Sequence, residues 1–155
     1  MARGYWRSDC NNTNLNRVYA EPDPELYPTI HATKHAIEEQ NSRGKLFAYT
    51  DLHGHATKRG CFVFGNSQPD QDKQIEQMLF PKLMSLNSVN FDLNECSFND
   101  ADNNKKDLKG DSREGSGRAA VYKLTQLPFC YTLEGNYATG HRINTLQPRY
   151  VLETQ

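Results

Sequence analysis

Short apolar runs separated by helical stretches predict the elements of this chain. The run at 45–49 predicts a buried strand over 45–51, which ends in a segment rich in histidine and glycine. Three further runs, at 61–64, 119–122 and 129–133, predict three more strands. Strands that alternate with helices indicate an α/β fold, a mixed sheet flanked by helices, in which ligands bind beyond the carboxyl ends of strands.

Two stretches show the apolar spacing of an amphipathic helix. Pro24 opens the first, and the turn-forming residues 41–44 end it. Asp70 or Asp72 begins the second, longer helix, which Pro81 is expected to kink or split. The apolar stripe that this second helix is predicted to bury consists of Ile75, Met78, Leu79, Leu83 and Leu86.

Composition limits the classes of function and partner. A net charge of −1 on 155 residues gives no global field for nucleic acid or anionic lipid, so we expect neither partner. No apolar run approaches the roughly 18 residues of a membrane span. Four widely spaced cysteines and an N-terminus without an apolar signal region favour a cytoplasmic location. The polar stretch 99–113 predicts a flexible surface loop.

The first candidate site residues are His53 and His55, which follow the first predicted strand. A histidine where a strand becomes a loop is held rigidly and can face a cleft, as a metal ligand or general base must. The local spacing equally allows two loop histidines bonded to backbone. His31 and His35 are four residues apart, which suits metal binding, but without a nearby acidic ligand they are interpreted as surface residues.

Glu134 follows the last predicted strand, and arginines lie near the N-terminus. A carboxylate at a buried strand end needs a partner, a wet cleft or a raised pKa suited to general-base chemistry; a solvent-facing glutamate is the alternative. Arg7, Asn16 and Arg17 could grip an anionic chain end, or be ordinary loop residues. Four further basic residues either line a site for acidic peptides or form a solvated rim. They are Lys58, Arg59, Arg118 and Lys123.

The loop 115–118 is rejected as a phosphate site. It lacks the Gly-Lys-Ser/Thr ending of a P-loop and is expected to lead into a strand.

Together, several short segments resemble the zinc metallocarboxypeptidases, and among them the cytosolic carboxypeptidase family. Each segment is short, but they occur in the order of the family and span nearly the whole chain. The matching segments are Arg3–Asp9, Asn14–Arg17, Asp51–Phe62 with Gly65–Asn66, Phe80–Leu83, Glu114–Arg118, Tyr122–Lys123, and Tyr131–Glu134 with Asn136–Tyr137.

The resemblance implies a Zn²⁺ cofactor and a role for each matching residue. His53 resembles the third zinc ligand of the family. Glu134 resembles the general base that activates the zinc-bound water, and Arg7 the arginine that polarises the scissile carbonyl. Asn16 and Arg17 resemble the pair that clamps the substrate's terminal carboxylate.

The resemblance further implies an acidic substrate. Tyr122 resembles the tyrosine that closes over the substrate, although its spacing to Glu134 is shorter than in digestive members. Arg118 and Lys123 would line the pocket for a glutamate side chain. The implied activity is removal of glutamate from polyglutamylated tubulin or similar acidic tails. The implied location is the cytoplasm, with microtubules and the nucleus as alternatives.

One family motif is missing. Members supply two further zinc ligands from an H-x-x-E segment upstream of the arginine, and this sequence has none there. The segment His35–Glu38 has the right letters but follows Asn16 and Arg17 on a predicted helix. We therefore expect residues 1–155 to be the C-terminal portion of a carboxypeptidase catalytic domain.

Two alternatives stay open at the level of sequence. One is a catalytically dead fragment that binds acidic peptides, because one histidine cannot retain zinc. The other is a zinc amidohydrolase of the related acylase branch. The sequence sets neither the oligomeric state nor the preference for branch-point or linear glutamate.

Overall fold

A computed structural model gives the structure of residues 7–99, 110 and 112–140. Among these residues, the helices α1 and α2 precede position 100, α3 follows position 111, and three strands form one sheet. The bounds, in chain order, are α1 Pro28–Ser42, β1 Tyr49–His55, β2 Cys61–Phe64, α2 Gln71–Asn87, α3 Gly117–Thr125 and β3 Cys130–Asn136. Single helical turns lie at Leu15–Arg17, Leu93–Glu95 and Arg113–Gly115.

The sheet is mixed, which confirms the predicted fold class. β3 lies in the middle, parallel to β1 and antiparallel to β2. On one face, Val63, Phe91 and Tyr131 form a buried apolar cluster. α2 covers this face, where the Tyr131 hydroxyl donates to the carbonyl of Gln77 at 2.8 Å. α3 contacts β1 and β3 and also α1.

β1 differs from its prediction in position and burial. It begins at Tyr49, and Phe47, expected inside a buried strand, is 76% exposed. Burial alternates along β1, and Leu52 is 75% exposed. The reason is that β1 is an edge strand of the described sheet, with one face uncovered. The prediction of a buried strand over 45–51 was therefore wrong, whereas β2 and β3 confirm the runs at 61–64 and 129–133.

The strand predicted at 119–122 was also wrong, because these residues lie within α3. Five consecutive residues, 117–121, are buried in this helix. The run 119–122 has no polar residue to show a helical period, and such a short apolar run cannot be told from a buried strand.

The two longer helices confirm the predicted elements but not the predicted buried face. α1 begins at Pro28 and not at Pro24, with the proline in the first turn, where its missing N–H costs nothing. α2 is capped by the Asp70 carboxylate and continues through Pro81 without a break. The stripe expected to be buried is exposed, with exposed fractions from 44% at Met78 to 69% at Leu86, while Gln77 and Pro81 face inward.

Parts of the prediction fall outside the described residues. Most of the predicted loop over 99–113 does so and stays a prediction. None of the helices in the described ranges is long and apolar enough to cross a membrane.

The exposed stripe of α2 and the open edge of β1 predict self-association of this chain. Apolar patches and unpaired edges are common sites of aggregation. We expect the double substitution of Leu79→Lys and Leu83→Lys to reduce concentration-dependent association, measured by sedimentation velocity, with little change in melting temperature. Lys73→Gln, at an exposed polar position of α2, is the control. A wild-type chain that stays monomeric at high concentration would contradict this expectation.

Candidate active site

His53 and Glu134 are brought together by the parallel pairing of β1 with β3. They are direct register partners, and two residues earlier Asp51 lies opposite Thr132. Side chains two residues apart point to the same face of a strand. The imidazole and the carboxylate therefore lie side by side on neighbouring strands, and both line one open cleft of about 380 Å³.

Asn16 connects the N-terminal turn to this pair. Its side-chain Nδ2 donates to Asp51 Oδ2 at 3.0 Å and lies 2.9 Å from His53 Nε2. Its Oδ1 accepts from the backbone N–H of Gly117 at 2.7 Å. One amide thus joins the turn at Leu15–Arg17, the strand β1 and the start of α3.

Asp51 acts on His53 from its other side, a contact that sequence reasoning missed. Asp51 Oδ1 lies 3.1 Å from His53 Nδ1. This carboxylate raises the pKa of His53 above its ordinary value, against an opposing effect of burial. The two-residue alternation of a strand would have placed Asp51 beside His53, had β1 been predicted to continue through the histidines.

Glu134 is a buried carboxylate at the wall of the cleft. Burial raises its pKa, and the positive charge of His53, when protonated, opposes the shift. Its Oε2 is buried and has no hydrogen-bond partner among the described residues. Such an oxygen is costly to leave unpaired, so it is available to a ligand or a proton.

The cleft gathers most of the residues singled out from sequence, and Arg113, which was not. It is lined by Arg7, Asn16, Arg17, His53, Arg113, Arg118 and Glu134, among others. Sequence reasoning missed Arg113 because it fell inside a stretch predicted to be a flexible loop. In the structure it opens the helical turn Arg113–Gly115.

Two predicted substrate-binding residues lie elsewhere. The Tyr122 hydroxyl donates to Gln68 Oε1 at 3.0 Å, and Lys123 Nζ lies 3.4 Å from a Glu114 carboxylate oxygen. Neither lines the cleft. Arg118 does line it, but its buried guanidinium donates to the carbonyl of Gly65 and to Asn66 Oδ1.

The neighbouring His55 shapes the loop beside the cleft. Its Nδ1 accepts from the backbone N–H groups of Thr57 and Lys58 at 3.2 and 3.1 Å. Tyr137 also lines the cleft and lies over Gly54. A Cβ on Gly54 would come within 2.2 Å of that ring, so a larger residue there would displace the exposed Tyr137 side chain.

The second histidine pair lies on α1, outside the cleft. His35 Nδ1 is 3.2 Å from Glu38 Oε2, and the His35 side chain is 64% exposed. Across the part of the chain that the structure describes, no group of three or more His, Cys, Asp or Glu residues could hold a metal ion. His53 is thus a single candidate ligand, whereas catalytic zinc takes three from protein.

The loop 115–118 leads into α3, so the expectation of a following strand was wrong. The Gly117 N–H is nevertheless already donated to Asn16. The rejection of a phosphate site therefore stands on the missing motif and on this occupied donor.

Comparison with known proteins gives one consistent group of relatives. The chain is 52% identical over 99 residues to cytosolic carboxypeptidase-like protein 5 of Bos taurus, covering 63% of this chain and 11% of the relative. It is 31% identical over 137 residues to human cytosolic carboxypeptidase 6, covering 86% of this chain and 25% of the relative. The chain thus spans a quarter or less of these relatives. No protein-family model matches it.

A solved structure supports the fold. The crystal structure of a metallo-carboxypeptidase from Burkholderia cenocepacia superposes with a TM-score of 0.63 at 20% identity, covering 84% of this chain and 31% of that chain. At this identity the match shows a shared fold.

Glu134→Gln tests the cost of the buried carboxylate. Because the folded-state pKa of Glu134 is raised, the fold loses stability as pH rises from the ordinary glutamate pKa to that raised value, and the loss is complete above it. We expect the variant to melt a few degrees higher than wild type at pH 8. The difference should vanish at acid pH, where Glu134 is protonated in both states. Thermal melts against pH, with the exposed control Glu76→Gln, measure this, and a less stable variant at pH 8 would disprove it.

Asp51→Asn tests the origin of the shifted histidine. Asp51 raises the pKa of His53, so its contribution to stability is present at acid pH and lost as pH rises through that raised pKa. We expect the variant to lower the pKa of His53 and to lose more stability at pH 5 than at pH 9. Imidazole NMR titration, assigned with His53→Gln, gives the pKa directly. An unchanged pKa would show that Asp51 does not act on His53.

Proposed function

Since this chain belongs to the cytosolic carboxypeptidase family, as its sequence similarity shows, we propose that it forms part of a zinc carboxypeptidase active site. The observation that carries this proposal is the pairing of His53 with Glu134 at one level of the sheet, facing a cleft lined by arginines. A metal ligand beside a general base and cationic groups is the set that hydrolysis of a C-terminal peptide bond requires.

The metal proposal rests on His53. Its Nδ1 is buried and makes no well-aligned hydrogen bond among the described residues, although Asp51 lies near. The Asp51 carboxylate lies on this same Nδ1 side, whereas the other ring nitrogen, Nε2, lies 2.9 Å from the Asn16 side-chain amide. Bound zinc would lower the pKa of a water molecule and polarise a carbonyl. Two further ligands would have to come from residues other than those described.

Glu134 is the proposed general base. Its raised pKa brings it nearer to neutrality, where a group can both take and return a proton. Its unpartnered Oε2 can accept the proton of an attacking water and later deliver it to the leaving amine.

Asn16, Arg17 and Arg7 are the proposed substrate clamps. Arg17 is held close to Asn16, with its Nη1 donating to the Asn16 carbonyl at 2.6 Å. Arginine presents a planar fork that grips a carboxylate with two parallel hydrogen bonds, which suits a chain terminus. Arg7, whose charge acts on His53, is the proposed group that polarises the scissile carbonyl.

The proposed substrate is an acidic chain end, such as a glutamylated tubulin tail, in the cytoplasm. Four arginines line the cleft against one glutamate, and an anionic substrate would neutralise this excess of positive charge. The relatives are named cytosolic carboxypeptidases. Lys123, and Tyr122 if it leaves Gln68, would then contact the substrate outside the cleft.

A second candidate is a non-catalytic module that binds acidic peptides. The specific observation in its favour is that the described residues supply one histidine and no complete metal group. Both candidates predict binding of acidic peptides, and only the first predicts hydrolysis.

Glutamate release from a glutamate oligopeptide, assayed in saturating zinc, separates the two candidates. We expect Glu134→Gln to lower the release about 10²–10⁴-fold, the usual contribution of general acid–base catalysis, with peptide binding retained. Glu76→Gln, on the far face of the sheet, should match wild type. Wild-type protein that binds the peptide and releases no glutamate would favour the binding module.

A further inference from the structure

The histidine pair on α1 lies outside the cleft, and the proposed function does not use it. His31 and His35 are four residues apart in the helix Pro28–Ser42, so both side chains project from one face, one turn apart. Their rings are in contact, with centroids 4.5 Å apart and planes inclined at 75°. Two imidazoles that bind one ion at about 2 Å, with an angle of about 90–110° at the ion, have centroids about 4.5–5 Å apart. The observed separation therefore suits a shared metal ion.

A carboxylate lies beside the outer ring of the pair. His35 Nδ1 is 3.2 Å from Glu38 Oε2. A carboxylate at this position favours the tautomer with its proton on Nδ1, which leaves the Nε2 lone pair for a metal, and metal-binding histidines commonly have such a neighbour. Among the described residues, no hydrogen bond engages the His31 ring. Each histidine therefore has a ring nitrogen available as a ligand.

The surroundings of the pair carry an excess of negative charge. Both rings line a surface cavity of about 400 Å³. The acidic residues of its wall are Glu21, Asp23 and Glu38. Lys34, the one lysine or arginine among the described lining residues, donates from Nζ to the carbonyl of Ala20 at 2.6 Å. This balance of charge favours a cation in the cavity over an anion.

We propose that His31 and His35 form a bidentate site for a divalent transition-metal ion, represented here by Zn²⁺. The described residues hold no group of three or more protein ligands, so two imidazole nitrogens bind the ion and water completes its coordination. Imidazole suits zinc, nickel and copper ions, whereas Mg²⁺ prefers oxygen ligands. The site depends on neither His53 nor hydrolysis. Zinc bound here would add to any zinc bound in the cleft when the metal content of the whole chain is measured.

Isothermal titration calorimetry of the whole chain with ZnCl₂ tests this site. We expect wild type to show a zinc-binding step that His31→Gln and His35→Gln each weaken at least about tenfold, because each substitution removes chelation. His53→Gln should keep the step, and MgCl₂ should produce none. All of these variants keep the four free cysteines, so any zinc bound by thiols contributes equally.

The matched control combines His35→Ala with Ala36→His, at a neighbouring exposed position. It keeps the number of histidines on α1 but moves one of them off the shared face, so it should weaken zinc binding as much as His35→Gln does. Melting temperatures and circular dichroism check that α1 stays folded. A zinc step of wild-type affinity in this control would overturn the proposal. So would a wild type without such a step, or a step that is lost in His53→Gln and kept in the α1 variants. A step that depends on the α1 pair supports the site whether or not the chain releases glutamate.

Discussion

The parallel pairing of β1 with β3 is the constraint on which the rest of the site depends. Its register sets His53 opposite Glu134, although 81 positions separate them in the chain (134 − 53). A slip of one residue would turn Asp51 and His53 to the opposite face of the sheet. The sheet register therefore forms one site from two strand residues that are distant in the sequence, which no local motif could do.

The Asn16 side-chain amide holds the neighbouring loops in a fixed position relative to the sheet. It binds Asp51 and lies against His53 on β1, while it accepts from Gly117 at the start of α3. The turn that carries Arg17 is thereby fixed to the strand that carries His53, and Gly115 docks the turn of Arg113 onto it. These loop residues have fixed positions because each turn is tied by hydrogen bonds or close backbone contact to a neighbouring element.

From sequence alone, the strand residues of the site were easier to predict than the residues around them. His53 and Glu134 could be found because ionisable residues that follow apolar runs are unusual, and the resemblance to a family then assigned their roles. Asp51 and Arg113 were missed for separate reasons. Finding Asp51 required the prediction that β1 continues through His53. Finding Arg113 required the prediction of an ordered turn in a polar stretch whose composition favours a flexible loop.

The wrong predictions of burial have a shared physical cause. Apolar periodicity reports which face of an element is suited to burial, and it does not report whether a partner covers that face. The stripe of α2 has the right spacing, yet it is exposed, as is Leu52 on β1. In α3 five consecutive residues, 117–121, are buried, and the apolar run 119–122 within and beside them is too short to show a helical period.

The open edge and the incomplete metal group occur on the same strand. β1 has a neighbour on one side only within the described sheet, and it carries His53, the single candidate zinc ligand there. Neighbouring strands lie about 5 Å apart, so a segment that paired with this edge would run alongside His53. It would also extend the sheet face that bears Leu52. Pairing at the edge would therefore bring polypeptide to the place where the imidazole lacks co-ligands, so that sheet stability and metal binding would depend on the same contact.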